Sequence, residues 1–325
     1  MFPTTRTSLI AAAIAAAALV PSTAQAAQGT PTTLAAEQAP TRVAAWESTV
    51  MWSRLDRATG RYALMKSVAG GAPTAVAVAQ RSRAPFDVDL GTSLSASTFA
   101  VYTRGGDIYR LNVATGTERK LAGLSSPKVE RSPTIQDGKI AFIRRNGRVD
   151  ELRISRSANP TQGSRLVVRR SSIANAELGA RHVAYVTQGL DDNVGETQMH
   201  VRNVSTGNDK VVYRARSGGS NSAAVTRASY VAEPEGFLWA RTNMGAEGGN
   251  RLVRYTLSGS KLDYAQGSMN YVSTAWAGEA LGAVATSAIG GSESAGSTSP
   301  GACSDAGVSY CDVVLTGPLS FGLEP

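Results

Sequence analysis

The chain has 325 residues, with 33 Lys and Arg against 25 Asp and Glu, and a formal net charge of +8 at pH 7. That balance favours drift toward anionic polymers by long-range attraction, yet no aromatic-studded basic module or recognition-helix pattern supports nucleic acid as the partner. Only 2 His and 2 Cys occur, which leaves little material for metal sites or histidine-based catalysis.

Residues 1–26 read as a secretory signal: Arg6 gives the positive start, Leu9 to Val20 an apolar core, and Ala24-Gln25-Ala26 a small-x-small cleavage site. The apolar core is 12 residues long, short of the roughly 20 that span a bilayer as a helix. No later apolar run is long enough either, so the mature chain is expected to carry no transmembrane segment. It would be secreted, or lie at the exterior of the cell envelope or in the periplasm, after cleavage near Ala26. Residues 27–41 lack periodicity and read as a linker or N-terminal strand, and 42–325 as the folded domain.

Beyond residue 41 helical spacing is nearly absent. Short alternating runs rich in Val, Ile, Tyr and Thr are broken by Gly, Asn, Asp and Ser, the pattern of antiparallel strands joined by tight turns. Arg145-Asn146-Gly147-Arg148 is read as a type I′ hairpin, since Asn and Gly accept the positive φ angles that turn requires.

A repeat emerges when the strands are aligned on their aromatics. Met51-Trp52-Ser53-Arg54 is echoed by Val101-Tyr102-Thr103-Arg104, Ala141-Phe142-Ile143-Arg144, Ala184-Tyr185-Val186-Thr187 and Leu238-Trp239-Ala240-Arg241. A degenerate sixth copy places Val284 at the aromatic position. Each copy is followed by a strand, a Gly-containing turn and an outer strand, as in IYRLNV-ATG-TERKL (108–121) and MHVRNV-STG-NDKVVY (199–213). Four strands per unit in about six units give the expected fold: an all-β, six-bladed β-propeller of four-stranded antiparallel blades. One such sheet cannot cover both its faces, whereas blades set radially cover one another.

SPTIQDGKIAFI (132–143) and DIYRLNVATGTERKL (107–121) together resemble one full repeat of TolB-like six-bladed propellers: Ser-Pro before a strand, Asp-Gly at the turn, Ile-Ala-Phe opening the next. The resemblance implies a fold used by binding scaffolds, assembly factors and non-catalytic halves of enzymes, and fold alone assigns no activity.

Candidate chemistry is sparse. Asp87 and Asp89 in PFDVDLG point to one face of a strand by the two-residue period, and Glu177 takes the position of Asp89 in the aligned copy. On an innermost strand that face can border the central channel. His182 and His200 sit at strand starts with no nucleophile elbow near them. Asp191-Asp192-Asn193-Val194-Gly195-Glu196 reads as a hydrophilic turn rather than a calcium loop. Arg54, Arg104, Arg144 and Arg241 each follow the strand aromatic by two residues, so each shares its face near one rim. Four guanidinium groups on one rim suit a carboxylate or phosphate, unless each is neutralised within its blade, with Asp87 as a partner for Arg104. A further set, Arg145, Arg148, Arg153, Arg156, Arg165, Arg169 and Arg170, reads as a solvated outer face.

Cys303 and Cys311, 8 apart in an exported chain, are expected to form a local disulfide. No cofactor and no metal is called for. The expectation is a monomeric, non-catalytic propeller that binds a protein or an anionic envelope polymer through one rim. The alternative is an envelope hydrolase or lyase using the channel carboxylates.

Overall fold

The computed structural model describes residues 32–37, 41–78, 81–156, 162–191, 194–217, 223–225, 227–233, 235–243, 251–265, 270–277, 283–288 and 311–315. The leader, Cys303 and Asp192-Asn193 lie outside the described residues, as do the side chains of Cys311 and Arg241.

The chain opens with β1 (Thr32–Glu37). The first sheet then takes β2 (Val43–Trp46), β3 (Thr49–Asp56), β4 (Arg61–Val68) and β5 (Thr74–Ala75). The second takes β6 (Val88–Thr92), β7 (Thr98–Arg104), β8 (Asp107–Asn112) and β9 (Glu118–Lys120). The third is β10 (Glu130–Gln136), β11 (Lys139–Asn146), β12 (Val149–Ser155) and β13 (Ser164–Arg170). The fourth is β14 (Ile173–Leu178), β15 (His182–Asp191), β16 (Val194–Asn203) and β17 (Asp209–Ser217). The fifth holds β18 (Ala223–Val225), β19 (Ser229–Val231), β20 (Gly236–Asn243), β21 (Arg251–Thr256) and β22 (Lys261–Ala265). The last combines β23 (Asn270–Trp276), β24 (Ala283–Ala288) and β25 (Cys311–Leu315) with β1, which pairs antiparallel with β25 and closes the ring.

The first strand of each sheet packs against that of the next, and β23 returns to β2. This is a β-propeller of four-stranded antiparallel blades. Expected uniformity fails at one place: five sheets have four strands and the fifth has five. There the innermost position is divided, with β18 pairing the far half of β20 (Ala223↔Asn243) and β19 the near half (Ser229↔Leu238). The break falls around Arg227, whose side chain is drawn into the channel.

Burial explains why the sheets stack. Core clusters draw on two consecutive sheets: Met51, Leu64, Phe86 and Tyr102 join the first two, and Ile143, Leu152, Ile173 and Tyr185 join the third and fourth. The strand aromatics Trp52, Tyr102, Phe142, Tyr185 and Trp239 are fully buried, each contributing roughly 1.5–3 kcal/mol by area. The repeat's aromatic is therefore a core residue.

The junctions between sheets are also latched by side chain to backbone hydrogen bonds. Ser53 Oγ accepts from Phe86 N (2.8 Å), Asp89 from Ile135 N (2.9 Å) and Thr134 from Leu178 N (3.0 Å). Glu177 accepts from Tyr230 N (3.1 Å), Ser229 from Trp276 N (2.9 Å) and Ser273 from Val43 N (3.2 Å). One latch thus spans every junction, and it satisfies backbone donors that stacking would otherwise bury unpaired.

Turn chemistry follows the sequence. In Asn112-Val-Ala-Thr-Gly116 and Asn203-Val-Ser-Thr-Gly207 the Asn carboxamide oxygen accepts two backbone N–H groups, an Asx turn. The hairpin at 145–148 needs correction. Asn146 pairs with Val149, so the loop is Gly147-Arg148, and only Gly147 has a positive φ, 63°. That is the requirement of a type II′ turn, not type I′.

Candidate functional site

Channel residues form a buried charge cluster. Asp87 precedes β6, Asp89 lies in it, and Glu177 lies in β14; the equivalence of Asp89 and Glu177 holds, since both latch the next sheet. Arg227, 6% exposed, reaches all three carboxylates: Asp87 at 3.4 Å, Asp89 at 3.7 Å and Glu177 at 3.3 Å. Its guanidinium also donates to the carbonyls of Val88 (3.2 Å) and Pro133 (2.9 Å). Asp87 further accepts from Arg42 Nη1 (2.5 Å) and Ser132 N (2.5 Å).

The three acids differ electrostatically. Burial works to raise Asp87, but Arg42 and Arg227 hold it below the ordinary carboxylate value. Burial raises Asp89 in spite of Arg227. Glu177 is pushed well above its ordinary value by burial and by the charge of Asp89. Such splitting occurs in catalytic acid pairs, but here each carboxylate is occupied by backbone donors and by Arg227.

Three of the four rim arginines, Arg54, Arg104 and Arg144, meet an acid, and for Arg104 it is not the one the sequence suggested. Arg104 does not pair with Asp87. It forms two hydrogen bonds to Glu118 (2.7 and 3.0 Å) and stacks over the Tyr109 ring at 3.9 Å. Tyr102 donates its hydroxyl to the same carboxylate, and burial together with Glu118 raises that phenol. Arg54 donates to Glu37 (2.9 Å), which also takes Trp52 Nε1 (2.6 Å), so this tie runs from β3 to β1. Arg144 donates to Glu130 (2.8 Å) and to the Leu124 carbonyl (2.7 Å). Arg241 lies in β20 opposite Arg251.

The fourth sheet uses the same plan with different groups. Tyr185 and His200 are register partners, as Tyr102 and Tyr109 are, and the rings stack at 4.5 Å. Thr187 replaces the arginine, and Asp209 stands where Glu118 does. Asp209 accepts from Tyr185, is contacted by Arg170 of β13 (3.2 Å) and Arg202 (3.4 Å), and lies 3.3 Å from His200 Nδ1. His200 Nε2 contacts Thr187 Oγ1 at 3.2 Å. Burial lowers both His200 and His182.

In the third sheet Arg145 pairs with Asp150, and Arg153 and Arg169 pair with Glu151, whose carboxyl falls to about 2 through the Asn146 hydrogen bond and these arginines.

A different arginine set remains open. An open cleft of about 820 Å³ is lined by Arg61, Arg81, Ser82, Arg83, Ala84, Arg104 and Gly105. Arg81 pairs with Asp56 at 2.7 Å, whereas the side chains of Arg61 and Arg83 meet no carboxylate among the described residues. Sequence reasoning named neither. It also missed Arg227, for which no signal exists, and Glu118 and Asp209, for which one does: both follow the turn glycine by two residues.

Compared by sequence, the chain matches no family model and no curated protein. Among solved structures it is similar to the SapL1 lectin in complex with alpha methyl fucoside, at 10% identity and TM-score 0.50, covering 78% of this chain and 89% of that one. It is also similar to TolB from Acinetobacter baumannii (13% identity, TM-score 0.49), covering 71% of this chain and 55% of that one. An oligogalacturonate lyase in complex with manganese follows at 13% identity and TM-score 0.47, covering 74% of each chain. Likeness at this level of identity shows the fold alone. No helix among the described residues is long and apolar enough to cross a membrane.

Proposed function

We propose that the chain is an exported, TolB-like, six-bladed propeller that acts as a non-catalytic binding scaffold for an anionic cell-envelope polymer. The fifth sheet, with β18 and β19 sharing its inner position, counts as a blade, and residues 42–325 with β1 make one domain. Export rests on the leader, and an oxidising compartment suits a Cys303–Cys311 disulfide. The observation that carries the reading is the saturation of Asp87, Asp89 and Glu177 by Arg227 and by latch donors. A general acid or base needs to reach a substrate proton, and these three are spent on the ring itself.

Binding then falls to the rim. Second-to-third-strand hairpins and sheet-to-sheet connections emerge at one end, bringing exposed Arg57, Arg61, Arg83 and Arg148 to that rim. The scaffold works as a monomer, with complementarity of charge setting the encounter. The test measures retention on immobilised dextran sulfate. Arg57→Glu with Arg148→Glu is expected to weaken binding on the order of tenfold, while Lys139→Glu, in the turn at the opposite rim, leaves it nearly unchanged. Equal losses from both rims sink the reading. So does turnover of an envelope polymer that disappears in Asp87→Asn.

A further inference from the structure

The segment after β5 returns to the top of β4 through an isolated antiparallel bridge, Tyr62↔Ser82, in which Tyr62 N donates to the Ser82 carbonyl at 2.8 Å. That register sets Arg61 opposite Arg83. Directly opposed side chains in an antiparallel pair have Cβ atoms about 5 Å apart, and like charges there are destabilising. Arg61 also faces Asp56 across β3 and β4, but the Asp56 carboxylate is taken by Arg81 Nη1 (2.7 Å) and by the N–H of Ala58 in its own turn (3.0 Å). Three guanidinium groups around one carboxylate leave two positive charges without an acid.

Three arginines of the aromatic-x-Arg repeat are matched: Arg54 to Glu37, Arg104 to Glu118, Arg144 to Glu130. Arg61 and Arg83 have no such acid among the described residues, and both line the open cleft. A phosphoryl group fits this arrangement better than a carboxylate. Its additional oxygen and higher charge let it meet two opposed forks with more than one hydrogen bond each, where a carboxylate has only two oxygens to share between them.

We propose that Arg61 and Arg83 form a phosphoryl-binding pair, closed by a phosphate group that relieves their mutual repulsion. The site goes beyond the rim reading and stands without it.

The test titrates inorganic phosphate into the full chain and follows both affinity and Tm. Arg61→Ala and Arg83→Ala are each expected to weaken phosphate binding at least tenfold. Each also raises the phosphate-free Tm, by about 1 °C, because the like-charge pair is gone. Lys139→Ala, beside the turn at the opposite rim, leaves both readings unchanged. Unchanged phosphate affinity in the two variants overturns the proposal, as does a phosphate-free Tm that falls in both. Equal stabilisation by acetate overturns the phosphoryl assignment. A wild-type chain that is retained on dextran sulfate but binds no phosphate defeats this inference and leaves the rim reading intact. Phosphate binding at the pair without retention does the reverse.

Discussion

Arg227 and Arg83 carry the same group into opposite circumstances. Arg227 sits among three carboxylates and two carbonyl acceptors at 6% exposure, so its guanidinium ties sheets two, three, four and five together. Arg83 stands exposed, opposite another arginine, with Asp56 already committed to Arg81. An arginine's role in this ring is thus set by whether its neighbours have already neutralised it. By that measure Arg54, Arg104 and Arg144 of the aromatic-x-Arg repeat belong with Arg227, and the less conspicuous Arg61 and Arg83 belong to the open set.

The largest effect should come from breaking the closed member of the comparison. Arg227→Ala leaves buried Asp89 and Glu177 without their cation and Asp87 with Arg42 alone, and removal of one partner from a buried ionic cluster costs about 3–5 kcal/mol. Urea unfolding should show that loss, and a drop under about 1 kcal/mol would mean the cluster is solvated and the contrast with Arg83 false. A smaller effect is expected from the ties inside the sheets. Glu118→Gln weakens the half-buried bonds from Arg104 and Tyr102, costing about 1–3 kcal/mol. Asp209→Asn should cost more, since Asp209 serves Tyr185, Arg170 and Arg202 at once. The same denaturant series checks the order, and a reversed order would show that the sheet-to-sheet bond from Arg170 adds nothing.

Much of this fold was legible because β-strands alternate with period two and because Asn-x-x-Thr-Gly turns announce themselves. Recurrence of the aromatic located the second strand of five sheets, and even Val284 falls in β24 where the degenerate copy put it. The channel position of Asp89 and Glu177 followed from the same alignment. What stayed hidden were partners outside the repeat's own sheet: Glu37 for Arg54, through the closing strand, and Arg227 for Asp87, 140 residues away. No local pattern encodes such pairs, and the irregular inner strand that delivers Arg227 breaks the very period used to find the others. The open pair escaped for another reason. Arg61 and Arg83 become neighbours only through a single bridge from β4 to a segment outside any regular strand.

The smallest effect at any one pH, and the most specific to the channel, comes from titrating it. Glu177 has a folded value well above the ordinary 4.5 because it is buried and lies beside Asp89. A raised acid binds its proton more tightly in the folded state, so its contribution to stability is fully present below about pH 4.5 and is lost as pH rises through the folded value. Asp87 runs the other way. Its value is depressed below 3.8 by Arg42 and Arg227 despite burial, so its contribution is present above that pH and is lost as the solution becomes more acidic. The channel should therefore be stable between these two losses. Glu177→Gln removes the Glu177 share of the upper loss, to which Asp89, also raised by burial, contributes the rest: unfolding free energies measured from pH 5 to 8 should decline less steeply in the variant than in the wild type, while both still weaken below pH 4. Parallel curves across pH 5 to 8 would mean that Glu177 is solvated in the folded ring, and that Arg227 holds an open, hydrated channel rather than a closed plug.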